Sequence, residues 1–113
     1  MTRIFCDSST KEGCYIIEGQ SPVFIPYPEP ATNNVGEYQA VILALEEAKR
    51  LKLEQVVLLT DSELVVRQVN MEWKCRKKHL LPLRDRVREL AQDLQATITW
   101  IPREENLAGK LLG

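Results

Sequence analysis

The sequence predicts an α/β domain: a mixed five-stranded sheet, antiparallel over its first three strands and parallel beyond, flanked by helices. Three observations lead there. Short strand-like segments follow one another directly over residues 3–26, the pattern of a meander. A long stretch of helical periodicity comes next. Then a wholly apolar run, Val56-Val57-Leu58-Leu59, alternates with further helical segments. Such a run suits a strand covered on both faces, as in the parallel part of a sheet.

The elements can be justified in chain order. Residues 3–7 and 14–18 read as strands joined by a polar turn from Ser8 to Gly13. Residues 22–26 read as a third strand bounded by Pro22 and Pro26. From Pro26 to Pro30 the chain must be a loop, because proline removes donors and breaks regular elements. Between Asn34 and Leu51 the residues Val35, Tyr38, Val41, Ile42, Leu45 and Ala48 recur at helical spacing and give one buried stripe. Val56–Leu59 is the fourth strand, and Ser62–Val69 a short helix carrying Leu64, Val65 and Val69. Pro82 opens another helix with Leu83, Val87, Leu90 and Leu94 on one side, and Thr97–Ile101 is the last strand.

At 113 residues the chain reads as a single domain, residues 1–113, long enough to bury a core. Its 44% apolar and 27% charged content is ordinary for a globular protein. The net charge of −1 offers no global attraction to nucleic acid, so binding of that kind would need local patches. Cys6, Cys14 and Cys75 show no C-x-x-C spacing and have one histidine between them; they read as reduced, buried thiols of a cytoplasmic protein rather than a zinc site or a disulfide framework. No apolar run approaches the ~18 residues of a membrane span and no export leader opens the chain, so a soluble monomer is the default expectation.

Three carboxylates occupy settings that could converge. Asp7 ends the first strand, Glu37 lies near the start of the long helix, and Asp61 ends the fourth strand. In sheets of this kind, chemistry gathers at strand ends. Carboxylates brought together repel one another, and a divalent metal makes the arrangement tolerable. Each also has a local role open to it. Asp7-Ser8-Ser9 is good turn chemistry, Asn34-Val35-Gly36-Glu37 reads as a capping box, and Asp61 could cap the helix that follows it.

The blocks Thr32-Asn33-Asn34-Val35-Gly36-Glu37-Tyr38, Asp61-Ser62-Glu63-Leu64-Val65-Val66-Arg67-Gln68 and Trp100-Ile101-Pro102-Arg103-Glu104-Glu105-Asn106, in this order, resemble the type 1 ribonuclease H family. The likeness is to its short members without the basic protrusion, and it runs from about Ile4 to the C-terminus. It implies a ribonuclease H-like mixed five-stranded sheet and a metal-dependent endonuclease that hydrolyses the RNA strand of RNA/DNA hybrids. Two ions, Mg²⁺ or Mn²⁺, about 3.5–4 Å apart, are implied. By the family's scheme Asp7 is shared by both, and Glu37 and Asp61 hold the ion on the leaving-group side.

Thr32, Asn33 and Asn34 correspond to the family's contacts with a 2′-hydroxyl and a neighbouring phosphate, and Glu63 stands where many relatives place a substrate-contacting Gln. The basic segment Lys74, Arg76, Lys77, Lys78 and His79 around Trp73 reads as a solvated loop or a phosphate-tracking patch, with Trp73 and Lys74 as its substrate contacts. The family usually follows its first Asp with Gly, where this chain has Ser8-Ser9. It also closes the site with a fourth carboxylate in an Asn-x-x-Ala-Asp-x-Leu run. Here that run is Asn106-Leu107-Ala108-Gly109-Lys110-Leu111-Leu112: an ungapped alignment puts Lys110 at the Asp position, and a one-residue deletion puts Gly109 there. The implied consequence is one weakened ion site and reduced activity, with a non-catalytic hybrid- or duplex-binding module as the alternative. The family's C-terminal helix, which would follow Asn106, is expected to be truncated or absent.

Overall fold

A computed structural model describes residues 1–112. Its elements are β1 (Thr2–Ser8), β2 (Glu12–Ile17), β3 (Val23–Pro26), α1 (Asn33–Arg50), β4 (Val56–Thr60), α2 (Glu63–Val69), α3 (Leu81–Leu94), β5 (Thr97–Trp100), a 3₁₀ turn (Arg103–Glu105) and α4 (Leu107–Leu112). The sheet order is β3-β2-β1-β4-β5. β1, β2 and β3 pair antiparallel, while β1–β4 and β4–β5 pair parallel. This is the mixed α/β sheet that the pattern of elements predicts.

The first hairpin is tighter than its polar sequence suggests. Ser8 pairs with Gly13, so β2 already begins at Glu12. The turn closes on Ser9, whose Oγ accepts from the backbone N–H groups of Lys11 and Glu12. A serine turn of this kind needs few residues, which leaves Glu12 and Gly13 free to pair. After Asn106 the chain forms the short, six-residue helix α4. Buried Asn106 secures it: its Oδ1 accepts from Ala108 N–H, and its amide donates 2.8 Å to the Cys6 carbonyl on β1.

Strand alternation divides the core. Ile4 and Cys6 of β1, with Leu58 of β4, pack against Tyr38, Val41 and Leu45 of α1 and against Val87 and Leu90 of α3. Phe5 and Leu59 point the other way and meet Cys14 and Ala108 in a smaller cluster under α4. Asp7 is two residues beyond Phe5 and so shares the α4 face. Cys6, Cys14 and Cys75 are buried free thiols, and Cys6 and Cys14 are not cross-strand partners: Cys6 pairs with Tyr15 and Cys14 with Asp7. Among the described residues, no helix is long and apolar enough to cross a membrane.

Candidate active site

The parallel register brings the first two carboxylates together. Phe5 pairs with Leu59 and Cys6 with Thr60, so the next residues, Asp7 and Asp61, stand side by side at the carboxyl ends of adjacent strands. Glu37 arrives from α1, which crosses that end of the sheet. One carboxylate oxygen from each of Asp7, Glu37 and Asp61 lies within 4.8 Å of the others. Asp7 is 2% exposed, and the other two are half-buried.

The local roles open to these residues are filled by their neighbours. Thr32, not Asn34, caps α1, its hydroxyl accepting from Val35 N–H. Glu37 lies beyond the first turn and has no capping role. Ser62 caps α2 by accepting from Val65 N–H at 3.3 Å, and Thr60 Oγ1 accepts from Ser62 N–H, so Asp61 has no capping work either. The hairpin turn after Asp7 is closed by Ser9. What remains is two buried carboxylate oxygens, Glu37 Oε2 and Asp61 Oδ2, without a hydrogen-bond partner. Buried polar atoms are seldom left so.

Electrostatics point the same way. Burial, followed by the charges of Asp7 and Asp61, pushes the Glu37 carboxyl up to about 8. Burial and Asp7 also raise Asp61. Arg103, in the 3₁₀ turn, opposes both shifts. Three hard oxygen donors, mutually repelling and partly orphaned, fit a divalent cation of the Mg²⁺ or Mn²⁺ type.

The structure separates the two candidates for the fourth position. A Cβ built on Gly109 would lie 3.1 Å from Asp7 Oδ2, so the side of α4 that faces the cluster is bare. Lys110 is exposed. Together Arg103, Glu104, Gly109 and Lys110 line an open cavity of about 360 Å³ beside this spot.

Of the remaining expected contacts, Asn33 and Asn34 are exposed in the first turn of α1. They precede Glu37 by four and three residues and therefore share its helix face. Thr32 is occupied as the cap, and Glu63 is exposed in the first turn of α2. Trp73 and Lys74 are not part of the carboxylate cluster. They lie in the segment after α2, where the Arg67 guanidinium sits 5.9 Å from the Trp73 ring centroid. Gln68 accepts from the Tyr38 hydroxyl at 2.6 Å and donates to the Lys74 carbonyl, tying that segment to α1 one residue from Glu37.

Two residues with work at the site are not evident from sequence: Arg103, the cation beside Glu37 and Asp61, and Asn106, the clamp that sets α4 against β1. Both belong to the Trp100–Asn106 block. The available signal for Asn106 was its place at the head of the Asn106-Leu107-Ala108-Gly109 run.

Sheet order, helix placement and converging carboxylates define a ribonuclease H-like domain. Residues 4–112 match the family described as Reverse transcriptase-like. Over 77 residues, 67% of this chain, the sequence is 38% identical to the bifunctional protein Rv2228c of Mycobacterium tuberculosis, matching 21% of that protein's length. It is 39% identical, over 77 residues, to Ribonuclease HI of Halobacterium salinarum, matching 39% of its length. The crystal structure of RNase H1 from Halobacterium salinarum superposes with a TM-score of 0.89 at 27% identity, over 98% of this chain and 92% of that one. The chain belongs to the reverse transcriptase-like family and, within it, to the type 1 ribonucleases H.

Proposed function

We propose that residues 1–113 form a single, monomeric domain that hydrolyses the RNA strand of RNA/DNA hybrids with Mg²⁺ or Mn²⁺ held by Asp7, Glu37 and Asp61. The observation that carries this reading is the meeting of three carboxylates within 4.8 Å, two of them with orphaned buried oxygens. Similarity to Ribonuclease HI supports the reaction class. Divalent ions at such a site supply an activated water at neutral pH and neutralise charge developing on the phosphate.

The chain's own residues do the rest. Asn33 and Asn34 donate to and accept from the shallow minor groove, where the 2′-hydroxyl distinguishes RNA from DNA. Sharing a helix face with Glu37, they register that groove against the carboxylates. Arg103 offers a positive charge to the phosphate. Glu63 faces the substrate with a carboxylate and weakens its hold. Trp73 and Lys74 track the backbone farther along the duplex and supply locally the attraction that the net charge lacks. Bare Gly109 leaves one ion short of an oxygen ligand, so cleavage is slower with Mg²⁺, which demands near-ideal octahedral geometry, than with Mn²⁺. The three buried free thiols suit a reducing cytoplasm.

The same bare position favours a second reading, a non-catalytic module that binds hybrids. One comparison separates the two and tests recognition: Mn²⁺-supported cleavage and binding of an RNA/DNA hybrid against a DNA duplex of the same sequence, at one stated salt concentration. The enzyme reading expects cleavage confined to the RNA strand. In the Asn33→Ala/Asn34→Ala variant the preference for hybrid should fall by roughly 10-fold, the worth of two hydrogen bonds. Binding without cleavage supports the module instead, and a preference untouched by the double variant sinks the role given to the asparagines.

A further inference from the structure

Tyr27 follows β3 in the proline-rich loop, away from the carboxylates in sequence, yet its hydroxyl sits between the two segments that present Asp7 and Glu37. It lies 2.7 Å from Ser8 Oγ and donates to the Gly36 carbonyl at 3.0 Å. Ser8 adjoins Asp7, and Gly36 adjoins Glu37. Each hydroxyl has one proton to give. The Ser9 carbonyl, 2.8 Å from Ser8 Oγ, competes for the Ser8 proton, and the link runs unbroken from Ser8 through Tyr27 to the Gly36 carbonyl when Ser8 gives that proton to Tyr27. The backbone around Tyr27 is fixed as well: Tyr27 N–H donates to the Lys11 carbonyl, and Ala31 N–H to the Thr10 carbonyl, both at 2.8 Å.

Two glycines clear room for this link. A Cβ at Gly36 would come 2.5 Å from Ser8 Oγ, and one at Gly13 would come 2.9 Å from the Tyr27 hydroxyl and 3.3 Å from Ala40 Cβ. Ser8 is on the α1 side of β1, opposite to Asp7, because strand side chains alternate. Tyr27 therefore joins β1 to α1 on the side away from the bare Gly109. We propose that Tyr27 is a positioning residue, whose hydroxyl holds the Asp7 strand end and the Glu37 helix turn together against the mutual repulsion of their carboxylates. The inference rests on the metal-site reading above and adds to it the device that preorganises two of the three ligands.

The test compares wild type with Tyr27→Phe, which keeps the ring and removes the link. Mn²⁺ affinity is measured by calorimetry well below the melting temperature, and hybrid cleavage is followed as a function of Mn²⁺ concentration. Losing one such link should weaken Mn²⁺ binding by about 3- to 10-fold. The cleavage curve should move to higher Mn²⁺ by the same factor while its plateau stays near wild type. A purely structural role would lower the plateau with the folded fraction and leave the midpoint in place, and that result overturns the proposal. Ser8→Ala cuts the same link from the other side, is expected to reproduce the shift, and serves in place of Tyr27→Phe should that variant not fold. In the Tyr27→Phe background Ser8→Ala should add little, because the link is already gone. Unchanged Mn²⁺ affinity in both single variants overturns the positioning role alone. A wild type that takes up no Mn²⁺ overturns the metal site itself, and Tyr27's role falls with it.

Discussion

Replacing Gly109 with aspartate is expected to raise Mg²⁺-supported hybrid cleavage by on the order of 10²–10³, the usual worth of one properly placed charge contact in a reaction site. The expectation comes from the direction in which α4 faces. The Gly109 position points at Asp7 Oδ2, 3.1 Å from where its Cβ would be, so a side chain one carbon longer carries its carboxylate into the cluster. Lys110 is exposed on the same helix, and Lys110→Asp should leave the Mg²⁺ rate near wild type. The gain with Mn²⁺ should be smaller, because that ion tolerates an incomplete ligand set better. A fourth carboxylate also adds repulsion when no ion is present, so the metal-free Gly109→Asp protein should be less stable than wild type and regain stability with metal. Rescue by Lys110→Asp in place of Gly109→Asp would mean that α4 is rotated from the orientation described.

The second large effect is on stability. The Glu37 carboxyl is held up at about 8 by burial and by Asp7 and Asp61, and Asp61 is raised as well. The folded, metal-free protein therefore binds protons that the unfolded chain has already released once pH exceeds the ordinary carboxylate range. Stability must then fall as pH rises. The loss runs from about pH 4.5 to about pH 8 and amounts to a few kcal/mol at most. Metal reverses the slope, because its ligands must be deprotonated to bind it. Urea denaturation across this range, with chelator and with Mn²⁺, should show the metal-free protein strongest near pH 5 and the increment due to Mn²⁺ largest near pH 8. A metal-free stability that is flat or rising over the window would contradict the mutual repulsion assigned to the cluster.

How much of this was legible in the sequence depends on the range of the interaction involved. Periodicity located α1 and α3, and the apolar run Val56–Leu59 located β4, because those signals are set by burial within each segment. The convergence of Asp7, Glu37 and Asp61 was visible only through the order of three motifs. Residues far apart in sequence give no local sign of meeting. Competition for helix caps was not legible: Thr32 and Asn34, or Asp61 and Ser62, are all competent caps, and backbone geometry selects Thr32 and Ser62. That selection is what frees the two carboxylates.

The choice between Gly109 and Lys110 was out of reach for a similar reason. A one-residue shift on a helix turns a side chain by about 100°, and that rotation is set by tertiary contacts, the Asn106 clamp on Cys6 and the packing of Ala108 against Phe5 and Leu59. Tyr27 was hidden by its setting, since a tyrosine among Pro26, Pro28 and Pro30 reads as loop. Trp73 and Lys74 lie in a basic segment between α2 and α3, and where such a segment sits relative to the carboxylates is a matter of tertiary placement.

The account stands on Asp7, Glu37 and Asp61 being a divalent-metal site. Calorimetric titration of Mn²⁺ into wild type and into Asp7→Asn, at pH 8 and fixed ionic strength, addresses it most directly. Asp7 is the buried member, between Asp61 and bare Gly109, and the amide keeps its shape while removing its charge. Wild type should take up Mn²⁺, and Asp7→Asn should lose the tightest site. Equal Mn²⁺ affinity in the two proteins would contradict the assignment.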